Sequence, residues 1–138
     1  MERVRVKSIS VITPEDGGEE DRIEGEFSGA LRTNGGEILL TYIEDVEGGR
    51  VFHRVLWREG TLTTDRRGAV TSQITFRVGE TTESVLSVPP LSLPLSVTTR
   101  EVILLPTPSG IGFRVVFDSS VGDGVRQRTS FTVLATPE

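Results

Sequence analysis

The side chains of this sequence that can do chemistry are few, and they interrupt an apolar pattern. Tyr42 and Glu44 follow Ile38 and Leu40 at every second position, and Thr99 follows Leu93, Leu95 and Val97 in the same way. Successive side chains on a strand point to opposite faces, so each of these polar residues shares a face with core residues. Polar groups turned inward need partners, and Arg58 or Arg66 would supply charge by turning inward too. The chemistry this set offers is noncovalent. Tyr42, Glu44, Arg66 and Thr99 are the candidate ligand-binding residues, presenting hydroxyls, a carboxylate and a guanidinium to one small molecule. Glu44 and Thr99 equally suit strand ends at a barrel rim, where water satisfies them.

Catalysis has less to draw on. Cysteine is absent and His53 is the single histidine, so there is no thiol nucleophile and no set of nitrogen ligands for a metal. A lone histidine on a strand reads as a packed or surface residue. No serine stands in a Gly-x-Ser-x-Gly elbow, and the pairs Gly17-Gly18, Gly35-Gly36 and Gly48-Gly49 sit in hairpin positions with no strand-to-helix phosphate loop to serve. The acidic run from Glu15 to Asp21 lacks the alternating ligands around a central glycine that a calcium loop uses, and reads as a solvated loop. Glu44 with Asp118 is a carboxylate pair that would do acid and base work if burial raised the pKa of one member. A hydrolase built on that pair is the remote alternative. No catalytic residue, metal site or cofactor is expected, and the chain is not expected to be an enzyme.

Size and charge narrow the classes further. A chain of 138 residues suits one domain, residues 1–138, and a compact domain of that length buries roughly 68% of its unfolded surface without a disulfide or metal staple. The formal net charge of −5 disfavours nucleic acid, whose binding draws on lysine and arginine. From Met1 to Ile12 basic and apolar residues alternate, which reads as a strand and not a signal peptide. No run of about eighteen apolar residues exists to cross a membrane as a helix. Without cysteine, a reducing compartment is compatible, and the cytoplasm is the expected location.

The elements that position the candidates are strands. Ile23, Gly25, Phe27, Gly29 and Leu31 share one face, and a change of parity near Lys7 and Ser8 predicts a bulge in the segment before it. Asn34-Gly35-Gly36, Glu47-Gly48-Gly49 and Glu59-Gly60 predict hairpins, because such residues tolerate positive φ. Strands are predicted over Glu37–Val46, Val51–Arg58, Thr61–Arg67, Val70–Val78, Thr81–Val88, Leu91–Val97, Val102–Leu105, Ile111–Phe117 and Thr129–Val133. Pro94 cannot donate to a ladder, so it predicts an edge, a bulge or a nitrogen turned away from its neighbour. About ten short strands with short connections and no helix hide their edges best by closing into an antiparallel meander β-barrel of about 8–10 strands.

The order and spacing of several motifs support this fold. Gly29, Ile38-Leu39-Leu40-Thr41-Tyr42-Ile43-Glu44, Glu59-Gly60, Arg66-Arg67-Gly68-Ala69-Val70, Phe76 with Gly79, Thr99, and Phe117-Asp118 with Val121-Gly122-Asp123 resemble the YwiB-like family of small bacterial proteins over nearly the whole chain. The resemblance implies a calycin-type, lipocalin-like β-barrel and a biochemical function that is unassigned. Two positions depart from the family: Leu86 stands where a tyrosine is usual, and Leu91 where a glycine follows, so a ligand contact through that tyrosine has no counterpart. Trp57 is preceded by Val55-Leu56, without the glycine-x-tryptophan signature of secreted lipocalins.

The function expected is noncovalent binding of a small, partly apolar molecule in the barrel mouth. The rival is a filled barrel acting as a structural or interaction protein. Its outer face, through Phe52 and Leu56 or Leu39 and Ile43, would then pack on a partner or on a second copy to form a homodimer.

Overall fold

Alternation in the sequence becomes ten antiparallel strands in the computed structural model, which describes residues 1–124 and 126–138. They are β1 (Glu2–Pro14), β2 (Asp21–Asn34), β3 (Glu37–Val46), β4 (Gly49–Arg58), β5 (Thr61–Gly68), β6 (Ser72–Phe76), β7 (Thr81–Val88), β8 (Leu91–Thr107), β9 (Gly110–Val121) and β10 (Gln127–Pro137). The sheet order is β6-β5-β4-β3-β2-β1-β10-β9-β8-β7. Consecutive strands therefore pair except β6 and β7, the two ends of the sheet, and β1 closes onto β10 in unbroken register from Val4 opposite Pro137 to Pro14 opposite Gln127. No helix occurs among the described residues, and none is long and apolar enough to cross a membrane. The result is a nearly closed, calycin-like barrel.

Closure is weakest between β6 and β7. Among the described residues, only the bridge between Thr71 and Ser87 joins them as a ladder would. Elsewhere along this seam, side chains replace backbone donors: the Ser84 hydroxyl donates to the Gln73 carbonyl at 2.6 Å and the Thr82 hydroxyl to the Thr75 carbonyl at 3.5 Å.

The hairpin chemistry follows the sequence. Gly35 and Gly36 have φ of 57° and 92°, and Glu59 and Gly60 have φ of 48° and 78°, as two-residue turns matched to strand twist require. Two other local expectations are corrected, whereas Pro94 meets one of its three alternatives, a nitrogen turned away from a neighbouring strand. The register of β1 is continuous against both neighbours, so no bulge interrupts Lys7 and Ser8. The parity change arises because both faces of β1 beyond Lys7 are only partly covered. Val102–Leu105 is no separate strand but the second half of β8. Pro94 lies within β8 opposite Val85, and its carbonyl accepts from the Gly122 N–H at 2.8 Å. A residue's nitrogen and carbonyl point to the same side of a strand, so the Pro94 nitrogen faces the point where β9 has ended and no ladder acceptor is wasted. The irregularity of β8 falls instead between Thr99 and Glu101, and the open edge falls at β6 and β7.

Closure also settles which face is inside. Ile38, Leu40 and Tyr42 point inward from β3, and Val51, Val55 and Trp57 from β4. Ile43 and Phe52 point outward and are 47% and 51% exposed, whereas Leu39, also outward, is buried beside Leu56. Phe113 crosses the interior to stack near Trp57 with ring centroids 6.0 Å apart, and Phe76 meets Phe117 at 4.9 Å. These cross-barrel aromatic pairs fill much of the interior with side chains.

Candidate functional site

Strand register assembles a polar row on the inner wall. Gly29 faces Tyr42, Tyr42 faces His53, His53 faces Arg66 and Arg66 faces Ser72, across β2 to β6. Directly opposed residues have Cβ atoms about 5 Å apart, so side chains remote in sequence become neighbours. Glu44 lies one inward step beyond Tyr42, next to the β3–β4 turn, and Ser72 opens β6, so the row borders one rim of the barrel.

Gly29 makes space for this row. A Cβ there would lie 2.5 Å from the Thr41 carbonyl oxygen and 2.8 Å from a Val6 methyl, too close for either to be tolerated. With no side chain at Gly29, the Phe27, Tyr42 and His53 rings stack in sequence, their centroids separated by 5.0 and 4.4 Å. His53 Nε2 and Glu44 Oε1 are 2.9 Å apart, and Arg66 Nε donates to the Ser72 hydroxyl at 2.8 Å. Among the described residues, neither the Tyr42 hydroxyl, the His53 Nδ1 nor the two terminal Arg66 nitrogens has a hydrogen-bond partner, yet none of them is sealed from solvent.

Burial governs the electrostatics of the row. It raises the Tyr42 hydroxyl pKa, assisted by the Glu44 charge and opposed by Arg66, so the phenol stays protonated and able to donate. It lowers the His53 pKa, with the Glu44 hydrogen bond pulling the other way. It also lowers that of Arg66, which nonetheless remains a cation.

The depressed His53 pKa predicts a pH effect on stability. The unfolded chain takes up this proton near its ordinary value of 6.5, while the folded chain resists it until lower pH, so the unfolded state binds more protons in between. Stability is therefore expected to fall as pH drops below 6.5 and to level off below the folded value. Urea midpoints at about pH 7.5 and about pH 5.5 should differ more for the native sequence than for His53→Gln. An equal difference in both would mean that His53 is not held neutral by the fold.

Three of the four predicted binding residues, Tyr42, Glu44 and Arg66, thus come together, and Thr99 does not join them. Thr99 does point inward and is 2% exposed. Its N–H donates to the Glu80 carbonyl and its carbonyl accepts from Gly79, both at 3.0 Å, which ties it to the β6–β7 turn. That turn lies at the far end of β6 from Ser72, roughly 13 Å away along the strand. The proposed pairing of Glu44 with Asp118 does not form either. Asp118 is on the outer face of β9, held by Arg128 and Arg100 at 2.8 and 2.7 Å, and these contacts, Arg128 first, keep its carboxyl below the usual range. Arg58 also points outward, to Glu37.

In the sequence, His53 reads as a packed or surface residue and Ser72 is not singled out. His53 shares the parity of Val51, Val55 and Trp57, so its inward direction was there to be read. No cluster of acidic or histidine side chains able to hold a metal ion occurs among the described residues. A groove of about 780 Å³ lies on the outer face of β1–β5, and Gly29, Tyr42 and His53 of the row also border it.

Comparison with known proteins agrees with this architecture. The crystal structure of the ywiB protein from Bacillus subtilis superposes with a TM-score of 0.87 at 21% sequence identity, covering 99% of this chain and 92% of that one. At such identity the likeness speaks for the fold alone. No curated protein matches the sequence. Residues 6–129 match the family described as "Domain of unknown function (DUF1934)". With nearly the whole barrel inside that match, the chain belongs to the DUF1934 family, the YwiB-like β-barrels of unknown function.

Proposed function

We propose that this chain binds, without turning it over, a small molecule that carries an acidic group and an apolar part, at the barrel rim beside Arg66. The observation that carries the reading is the Arg66 charge. It sits partly buried on the inner wall, with its Nε paired to Ser72 and no carboxylate within ion-pair distance among the described residues. Holding a charge in that position costs free energy that a paired surface arginine would not cost. Its free terminal nitrogens form the planar fork that accepts a carboxylate or phosphate through two parallel hydrogen bonds. The Tyr42 hydroxyl supplies a further donor.

The apolar part has a neighbouring surface. The Thr71–Ser87 bridge brings Leu86 next to Ser72 along the seam, and Leu86 faces Leu93, which is 38% exposed. A binding role without chemistry is supported by the separation of Glu44, inside the wall, from Asp118, outside it.

Native mass spectrometry of the protein purified from its own host tests this. The expected result is an adduct of small mass that dissociates on collisional activation and is missing from Arg66→Met purified in the same way. Apo mass alone for the native sequence, or an adduct equally retained by Arg66→Met, would overturn the reading.

A further inference from the structure

The outer groove pairs a projection with a hole on one surface. Its floor is built from the small side chains Ser28, Ala30 and Thr41 on β2 and β3. Beside that floor Phe52 and Ile43 stand opposite each other on β4 and β3, about half exposed. Beside the covered outward pair Leu39 and Leu56, this second pair leaves apolar surface half exposed among outward positions on β3 and β4 that are otherwise charged or small. A two-fold axis through such a surface seats each copy's projecting ring in the other's hole.

Both walls of the groove carry charges of both signs, Arg3 and Glu138 on the β1 side and Arg54, Asp65 and Arg67 on the β4–β5 side. On the β4 side Arg54 has no carboxylate within ion-pair distance among the described residues. Its cross-strand neighbour Asp65 is engaged instead by Arg67, at 3.8 Å. On the β1 side stands Glu138, whose N–H donates to the Arg3 carbonyl at 3.3 Å and whose carboxylate accepts from the Ser28 hydroxyl at 3.5 Å. An unpaired guanidinium on one wall and a carboxylate on the other are complementary to the same surface rotated by half a turn.

We infer that this face is the interface of a symmetric dimer of the chain, with Phe52 of each copy seated in the other's groove and Arg54 facing the other's Glu138. The inference rests on the outward residues Phe52, Arg54 and Glu138 and not on the Arg66 rim site, although Tyr42 and His53 border the groove from the same wall. A buried aromatic at the centre with charged pairs at the edge is the arrangement in which truncating the aromatic costs most.

Sedimentation velocity tests it, over protein concentrations from about 1 to about 300 µM, the range in which modest interfaces half-associate. The native chain should shift from monomer to dimer across that range. Phe52→Glu should remain monomeric throughout, with an unchanged circular dichroism melt showing that the barrel is intact. Arg54→Glu should weaken association about tenfold, and the double exchange Arg54→Glu with Glu138→Arg should restore it. A native chain that stays monomeric up to the highest concentration would overturn the inference. So would a Phe52→Glu dimer as strong as the native one, or a small molecule found in the groove of a monomer.

Discussion

Arg66→Met is expected to make the protein more stable while removing its capacity to retain a ligand. The native guanidinium gives up hydration on the inner wall and recovers one hydrogen bond, to Ser72, with no carboxylate in ion-pair contact among the described residues. Methionine matches the arginine stem in length, carries no charge to desolvate and packs against its neighbours on the wall. Replacing buried ion pairs by well-packed apolar side chains ranges from neutral to a gain of about 4 kcal/mol, and for the lone Arg66 charge the loss of the Ser72 contact takes back part of any gain. A net gain of about 1 kcal/mol would raise the thermal midpoint by roughly 3 °C in a domain of this size. Differential scanning calorimetry on ligand-free protein reads this directly. A midpoint that falls would show that Arg66 serves the fold, and its candidacy as a ligand anchor would lose its physical basis. A midpoint that rises together with loss of the small-mass adduct is the signature of a residue kept for binding at the expense of stability.

Phe113→Ala carries the largest stability effect, a loss of about 3 to 5 kcal/mol. Phe113 is 1% exposed and its ring reaches across the barrel to Trp57 at 6.0 Å. Deleting it forfeits the transfer energy of the ring and leaves a cavity that the walls, stiffened by ladders on both sides, close poorly. The thermal midpoint should drop by roughly 10 to 20 °C. Phe52→Ala is the matched control: the same side chain is half exposed on the outer face and its loss should cost less than about 0.5 kcal/mol in the monomer. A loss for Phe52→Ala in the monomer as large as that for Phe113→Ala would mean that Phe52 is buried and not half exposed.

The seam between β6 and β7 bears on how the proposed ligand would reach the rim. Backbone ladders elsewhere in the wall resist separation, whereas here hydroxyls of Thr82 and Ser84 and one bridge join the strands. Such a junction opens at lower free energy than a full ladder. Leu86 and Ser72 flank it on the inner side, so an opening of the seam would widen access to the Arg66 end of the row.

Several parts of the site were legible in the sequence because they depend on local parity alone. Tyr42 and Thr99 do point inward, as their spacing from Leu40 and Val97 implies, and His53 could have been assigned inward from Val51 and Val55. Asp118 could equally have been assigned outward from its neighbour Phe117. The height of each residue along the barrel was not legible. Thr99 and Arg66 both face the interior, yet one belongs to the β6–β7 turn and the other to the opposite end of β6, and only strand register separates them.

By itself, the sequence determined what is decided within a few residues: strands from the two-residue period, turns from glycines that accept positive φ, and the antiparallel order that short connections impose. The tertiary structure alone decided how those strands close. It joined β1 to β10, left the weak seam between sequence neighbours β6 and β7, and set the register that lines up Tyr42, His53, Arg66 and Ser72. The physical reason is that parity is a property of one strand, whereas register is a property of a pair. Register is set by which apolar faces close over a common core, as Phe113 and Trp57 do across the barrel.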